Sequence, residues 1–369
     1  MRICYLANAG SIHTFRWISY FTRKGHKVSL VSLSPPQFDY KNIELKVVKK
    51  IRKAPGIISQ LVNFIPLFFQ LRKIIKNGQF DVFHALASGE GWLASLAGCR
   101  PLVLTIADPA ILPDSAKPFY YNILNSCALK KADLITTDGE NTRRAMIRLG
   151  ANHNIIRIIR FGVDVEKFRP GKNEELKQRL FGERAKIIIS TKPLRQECSI
   201  DTLIKAAPLI LQEIPMAKFL IVGGGEEQEN LMQLAKTLGI SKAVHFTGLL
   251  KSEELPLYLQ SADVYVGTSL VESGIAASTA EAMACQLPLV VSDSGDNALL
   301  IKDGENGFIF PPKNSKTLAE KFIILLKDEK LREKFAKANR KEIEEKNNYF
   351  REMEKMEKIY QSFKNERKN

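Results

Sequence analysis

The feature that most limits what this chain can fold into is its rhythm. Short apolar runs alternate with amphipathic stretches from one end to the other. Residues 2–7, 27–33, 81–84, 101–106, 132–136 and 155–159 read as buried strands, and 14–24 and 120–130 as helices. The pattern then restarts, with strands expected at 186–190, 218–222, 244–246, 264–266 and 289–291. Helices are expected between them at 202–212, 229–238, 253–260 and 277–284. Runs of four to six apolar residues joined by helices belong to βαβ units, in which both faces of a parallel sheet are covered. The spacing therefore predicts an α/β chain of two doubly wound domains. Their boundary is expected within 161–183, where Gly162, Pro170, Gly171 and Gly182 interrupt a charged stretch. From residue 317 onward the chain reads as helical and highly charged.

Charge is unevenly spread. The whole chain carries +15, but residues 1–107 hold 15 Lys or Arg against only Asp39, Glu44, Asp81 and Glu90, a balance of +11. The first half is thus suited to an anionic partner, and the alternative is a solvated basic surface. Residues 49–78 sharpen this, because basic clusters flank an apolar, Phe-rich centre. Such a helix can lie on an anionic membrane surface, or can face the core with Pro66 as a kink. Nucleic acid is not expected, since no recognised module or aromatic stacking pattern accompanies the charge. The five cysteines are scattered and none forms a C-x-x-C pair, so neither a disulfide framework nor a zinc site is indicated. Residues 1–9 read as a strand rather than a signal peptide, and no run reaches the ~18 apolar residues of a membrane span. A cytoplasmic protein is expected, with room for peripheral attachment at the inner face of the cytoplasmic membrane.

Four segments could carry chemistry. ANAGSIHTFR at 7–16 follows the first strand and opens a helix. Ligands of open α/β sheets sit at the carboxyl ends of strands, so Gly10 could admit a ligand and His13 could donate to a phosphate or a sugar hydroxyl. The plainer alternative is Ser11 as a helix cap beside an incidental histidine. IVGGGE at 221–226 reads either as a ligand loop or as a tight strand–helix turn. STKPLRQECSI at 190–200 offers Lys192 and Arg195 to a departing diphosphate, or two solvated cations. ADVYVGTSLVESGIAASTAEAMACQLPLVVSD at 262–293 places Thr268, Ser269, Glu272, Ser273 and Gly274 in a loop before a small-residue helix. Small residues leave helix amides open to an anion, and Glu281 could hold a ribose diol or lie on an exposed face.

Taken together the segments resemble family 4 of the retaining glycosyltransferases with the GT-B fold. SIHTFRWISY and GHKVSL near the start, FGVDVEKFRP at 161–170 and FTGLLKSEELPLYLQSADVYV at 246–266 carry the likeness. EAMACQLPLVVSD at 281–293 and DGENGFIFPP at 303–312 complete it. The resemblance implies two facing Rossmann-like domains with a cleft between them. An acceptor-binding domain is expected at 1–165, a nucleotide-sugar domain at 166–347, and a C-terminal helix within 348–369 that crosses back to the first domain. It implies no metal and no cofactor beyond a nucleotide-sugar donor, with UDP ahead of GDP. Glu281 matches the ribose-binding acid and Lys192 the first of two diphosphate-facing cations. Gly224 and Gly225 match the glycine loop, and Gly248, Leu249 and Leu250 the segment beside the base. Gly10 and His13 match the loop near diphosphate and acceptor, and Asp108 falls near the position that touches the transferred sugar. The amides around Ile275, Ala276 and Ala277 join Lys192 and Arg195 at the diphosphate, and Glu272 or Ser273 contacts the sugar. Three departures stand out. Ser273 occupies the place of a usual acid, with Glu272 one residue off register; Cys198 replaces the second cation; Gln286 replaces a glycine. The implied function is metal-independent transfer of a hexose or N-acetylhexosamine, with retention, to a hydroxyl of a lipid-linked or surface glycan. The rival expectations are a nucleotide-sugar 2-epimerase and a degenerate GT-B protein that serves as a binding or partner subunit.

Overall fold

Near-continuous aliphatic strands build two parallel sheets. The computed structural model describes residues 1–48, 57–107, 111–112, 119–272 and 274–366. The first sheet holds β1 (Arg2–Leu6), β2 (Lys27–Ser32), β3 (Glu44–Val47), β4 (Val82–Ala85), β5 (Leu102–Thr105), β6 (Leu134–Thr137) and β7 (Ile156–Ile158). The second holds β8 (Lys186–Ser190), β9 (Ala217–Val222), β10 (Val244–Gly248), β11 (Val264–Gly267), β12 (Leu289–Ser292) and β13 (Phe308–Phe310). Their orders are β3-β2-β1-β4-β5-β6-β7 and β10-β9-β8-β11-β12-β13. Each sheet thus grows outward one way from its first strand, then restarts on that strand's other side. This is the doubly wound order, and its reversal creates a crevice beside the first strand.

The central strands are buried on both faces. In β8, Ile188 packs into one apolar layer, while Ile187 and Ile189 pack into the layer on the opposite side. The side-chain period of two sends neighbours to opposite faces, and helices must cover both. Two of the four edge strands, β3 and β13, escaped the apolar-run reading for a physical reason. β3 is Glu-Leu-Lys-Val and mostly exposed, and β13 spans only three residues, so neither shows a sustained apolar run. Helices Ser88–Ala97, Glu140–Arg148 and Glu174–Phe181 were likewise not anticipated. The last of these lies inside the stretch read as an interrupted boundary.

The chain divides into two units: Met1–Phe161 together with Arg351–Asn369, and Gly162–Phe350. Gly162 adopts a positive φ of 66°, and a Cβ there would come within 2.5 Å of Tyr349 Cα. Only glycine fits that approach. In the first unit, Tyr360 of helix Tyr349–Glu366 is fully buried. Its hydroxyl hydrogen-bonds Tyr5 at 3.0 Å and the Nδ1 of His84. His84 Nε2 lies 2.6 Å from Thr105 Oγ1, which in turn meets Thr136 Oγ1. This buried chain runs across β1, β4, β5 and β6. Its burial holds His84 neutral, with the pKa pushed down to about 3.

Candidate functional site

The fold nominates one crevice in each unit, at the carboxyl ends of β1 and β4 and of β8 and β11. In the second unit three loops converge there, and their backbones are stitched together. Leu194 N–H donates to Gly224 O at 3.0 Å, Glu227 N–H donates to Leu194 O at 3.0 Å, and Gly223 N–H donates to Gly248 O at 3.0 Å. The loops after β8 and β11 are joined the same way, by Leu270 N–H to Glu197 O at 2.8 Å and Thr268 Oγ1 to Cys198 O at 2.7 Å. The glycine run answers to this stitching. Gly223 and Gly225 have φ of 142° and 159°, and added Cβ atoms would sit 2.5 Å from Lys192 O and 2.3 Å from Leu194 O. Those two glycines let the β8 loop approach, so their space is taken by protein backbone. Gly224 is different, because the nearest atoms a Cβ there would meet belong to the Leu249 side chain, at 3.1 Å. Leu249 itself is 84% exposed, an apolar side chain standing in solvent beside the glycine loop, while Leu250 packs into the core. Gly248 ends β10 with φ of 71°.

Lys192 is the buried cation of this crevice, only 6% exposed. Its ammonium is ion-paired with Glu272. Burial works against that charge, but the Tyr265 phenol and the Glu272 carboxylate outweigh it, and the lysine pKa is raised. Tyr265 is fully buried, and its hydroxyl donates to Ser278 Oγ at 2.9 Å in the first turn of helix Ala277–Ala284. That phenol therefore contacts the helix end and also acts electrostatically on the lysine. The helix is preceded by Ala276, which has no side chain to cap it, and its first turn holds no acid. Its opening amides are available to an anion. Ala276 is buried, Ala277 exposed, Ile275 half-buried and packed on the core, and Glu281 half-buried one turn along the helix. Ser190 Oγ, Thr191 Oγ1 and Asn297 Oδ1 are buried here without a partner among the described residues. An unmet buried polar atom costs about 1–3 kcal/mol, so three at one sheet end mark a place made for a polar ligand or water.

The other expected residues fare differently. The Arg195 side chain is 61% exposed and lies 3.9 Å from Glu197, away from the buried lysine's setting. Cys198 is buried, and burial pushes its thiol pKa up, so no charge replaces the second cation there. Asp108 and Ser273 lie outside the described residues, as do residues 49–56.

In the first unit, His13 lies in the first turn of helix Ile12–Arg23 and packs against Phe161, with ring centroids 4.2 Å apart and planes tilted by 31°. Burial, helped by the charge of Arg16, pushes its pKa down to about 4. The imidazole is neutral at pH 7 and offers no charge to a phosphate. The Gly10 N–H is committed to Asn8 Oδ1 at 2.8 Å rather than held open. A cavity of about 420 Å³ lies here, with His13, Ser11, Glu90, Thr105 and Phe161 on its wall. The sequence reading counted Glu90 only as a charge and Phe161 only as part of a linker motif. Helix Ser88–Ala97, which carries Glu90, was the missing signal. A larger cavity of about 730 Å³ opens at the amino ends of β8 and β11, beside Lys186 and Asp263. Mixed charges line it, and it is at the wrong end of a parallel sheet for ligand binding, so size does not make it the site.

Comparison with known proteins agrees with this layout. The family described as Glycosyl transferases group 1 matches residues 171–342, and the family described as Glycosyl transferase 4-like matches residues 2–139. The chain is 30% identical over 361 residues to the N,N'-diacetylbacillosaminyl-diphospho-undecaprenol alpha-1,3-N-acetylgalactosaminyltransferase of Campylobacter jejuni, covering 91% of this chain and 92% of that one. It is 29% identical over 187 residues to a GDP-mannose-dependent alpha-(1-6)-phosphatidylinositol monomannoside mannosyltransferase of Mycolicibacterium smegmatis, covering 48% of this chain and 49% of that one. Among solved structures, Anabaena Alr3699/HepE in complex with UDP and glucose superposes with a TM-score of 0.83 at 19% identity, covering 98% of this chain and 100% of that one. Identity of 30% over 91% of the chain to a named glycosyltransferase, together with the two family matches and the shared fold, places the chain: it belongs to the GT-B glycosyltransferases of the family-4 type.

Proposed function

We propose that this glycosyltransferase moves a hexose or N-acetylhexosamine from a UDP- or GDP-sugar to a hydroxyl of a lipid-linked glycan. We take the reaction to retain the anomeric configuration and to need no metal. The observation that carries the reading is the β8/β11 crevice, where a buried lysine, Tyr265 and the uncapped helix Ala277–Ala284 come together. A departing diphosphate needs positive compensation as the glycosidic bond breaks, and Lys192 with the helix amides supplies it. The Glu272 carboxylate holds that ammonium in the free protein. An incoming diphosphate would compete with Glu272 for it and free the acid for a sugar hydroxyl. Glu281, one turn along the helix, would anchor the ribose, and Leu249 would offer its apolar face to the base. Gly224 leaves room beside that side chain. With the donor held in this way, the leaving phosphate can take the acceptor proton on the same face, and no protein nucleophile is invoked.

A lipid-linked acceptor is supported by two things. The Campylobacter relative's name describes transfer to an undecaprenol diphosphate sugar. In addition, helix Ile57–Asn77 exposes Ile65 and Phe69, 59% and 65%, four residues apart and close to exposed Arg72, Lys73 and Lys76. Apolar side chains beside cations suit an anionic membrane surface. The base stays open between uridine and guanosine, since relatives point both ways.

The test is a screen of UDP- and GDP-sugars by thermal shift, followed by hydrolysis and transfer assays in chelator. A true donor raises the melting temperature as it saturates the protein. Strict dependence on a divalent ion, or an inverted product anomer by NMR, would refute the mechanism. Interconversion of nucleotide sugars without acceptor would instead identify an epimerase.

A further inference from the structure

We infer that Gly295, in the loop after β12, is a positioning residue that fixes where Glu272 stands, and that this clamp sets which donor-sugar hydroxyl the carboxylate reaches. The sugar role rests on the transferase reading above, whereas the clamp rests on geometry alone. Gly295 has a φ of 58°, and a Cβ there would lie 2.6 Å from Glu272 Cβ, 2.6 Å from Gly274 O and 2.9 Å from Glu272 O. Non-bonded carbons settle 3.5–4.0 Å apart, so a side chain at 295 would drive the acid back by about 1 Å. The next residue adds a direct tie, because Asp296 N–H donates to Gly274 O at 3.1 Å. One loop therefore touches the backbone of Glu272 and holds the backbone just beyond it.

A clamp works only if it is itself rigid. Asp293 N–H donates to Phe310 O and Ser294 N–H to Ser292 O, both at 2.9 Å. Asn297 Nδ2 donates to Ser292 O at 2.9 Å, and Ser292 Oγ donates to Ser269 O at 2.6 Å. Ser294, Asp296 and Asn297 are all buried. On its other side the β11 loop is held by the β8 loop, through Thr268 Oγ1 and Leu270 N–H. Glu272 thus stands between two fixed points, Leu270 and Gly274, and its side chain ends on the Lys192 ammonium. Once a diphosphate takes over that ammonium, the carboxylate swings only about its own side-chain torsions from a fixed Cα. Epimeric sugars place one hydroxyl in different directions, and hydrogen bonds weaken steeply off line. An acid held in one place accepts from one epimer and is left unpaired by the other, which is a strong source of discrimination.

The test uses Gly295→Ala and Gly295→Asn in the full-length protein. Asparagine tolerates a positive φ but still carries a Cβ, so it keeps the close contact with less backbone strain and serves where the alanine variant does not fold. Gly239→Ala is the strain control: its φ is 68° and it lies in the same unit, but nothing lies within 4 Å of its Cβ position. In the first measurement Glu272→Gln is added to each background, and urea unfolding is followed by far-UV dichroism. The expected result is a lower midpoint in the wild-type and Gly239→Ala backgrounds, and little change in the Gly295 variants, where the acid has already left Lys192. Equal shifts in all backgrounds, or no shift in any, would overturn the clamp. The second measurement compares donor hydrolysis between epimers, such as UDP-glucose against UDP-galactose and their N-acetylated counterparts. The ratio of kcat/KM values should narrow about tenfold or more in the Gly295 variants and hold its wild-type value in Gly239→Ala. Affinity for the nucleoside diphosphate by calorimetry should stay unchanged in all three. No preference in the wild type, an unchanged ratio in the Gly295 variants, or an equal loss of nucleotide affinity would overturn the sugar role. Failure of the transferase reading shows separately, as no hydrolysis of any nucleotide sugar by the wild type. The urea cycle decides the clamp in either case.

Discussion

The two crevices are built on the same strand order but carry opposite electrostatics. Among the described residues no Lys or Arg lines the cavity of the first unit, although residues 1–107 carry +11, whereas the other 262 residues, with a balance of only +4, bury a lysine at the switch point of the second unit. Net charge and site charge are therefore separate quantities. Surface lysines set long-range attraction, which salt screens within about 10 Å. A single buried ammonium acts at contact and in a low dielectric, where its effect on a developing charge is far larger.

That contrast can be broken most directly at Lys192. Lys192→Ala should lower kcat for transfer and for donor hydrolysis by about 100–1000-fold, the usual cost of removing one stabilising group. Neutralising any two of Arg72, Lys73 and Lys76 should leave kcat on a soluble acceptor nearly unchanged. It should instead reduce co-sedimentation with anionic vesicles. Near-wild-type turnover in Lys192→Ala would end the argument that the buried cation matters more than the surface ones.

The first unit is sharpened by Tyr360→Phe. Removing that hydroxyl takes away the partner of the buried His84 Nδ1 and one hydrogen bond of Tyr5. The expected destabilisation is about 1–3 kcal/mol. Because both tryptophans belong to the first unit, their fluorescence should show the loss, and far-UV dichroism should show how far the second unit follows. A smaller effect is expected from Glu281→Ala, which should weaken nucleotide binding by calorimetry roughly tenfold through a lost charged hydrogen bond. Unchanged affinity would remove Glu281 from the ribose role.

The smallest effect near neutrality is on acid stability. The pKa values of His13 and His84 are held down to about 4 and about 3 from an ordinary 6.5. Below pH 6.5 the unfolded chain takes up these protons and the folded one does not, so stability falls as pH is lowered. The loss should start just under pH 6.5 and continue to about pH 4 for His13 and about pH 3 for His84. The His13→Gln variant should melt with a shallower acid dependence. An unaltered pH profile in that variant would show that the histidine is solvated.

What the sequence alone determined was the architecture and the addresses of the loops. Aliphatic runs such as Lys186–Ser190 and Leu289–Ser292 can be satisfied only inside a covered parallel sheet, so their rhythm dictated the fold. The helix at Ala277–Ala284 was legible to the residue because small side chains and a following buried run bound it on both sides. Partnership was not legible. Pairing of Lys192 with Glu272 joins residues 80 positions apart, and the raised pKa of the lysine reflects Tyr265 and Glu272, both remote in sequence. The run at 221–226 read either as a ligand loop or as a tight turn, and only the structure shows that Gly223 and Gly225 accommodate the backbone of the β8 loop. Glu90 and Phe161 gained meaning only when helix Ser88–Ala97 and the end of the first unit came to one cavity. Local patterning reports what a segment must bury. Only the tertiary structure decides which charges meet and which polar atoms are left without a partner, because both depend on contacts between segments far apart in the chain.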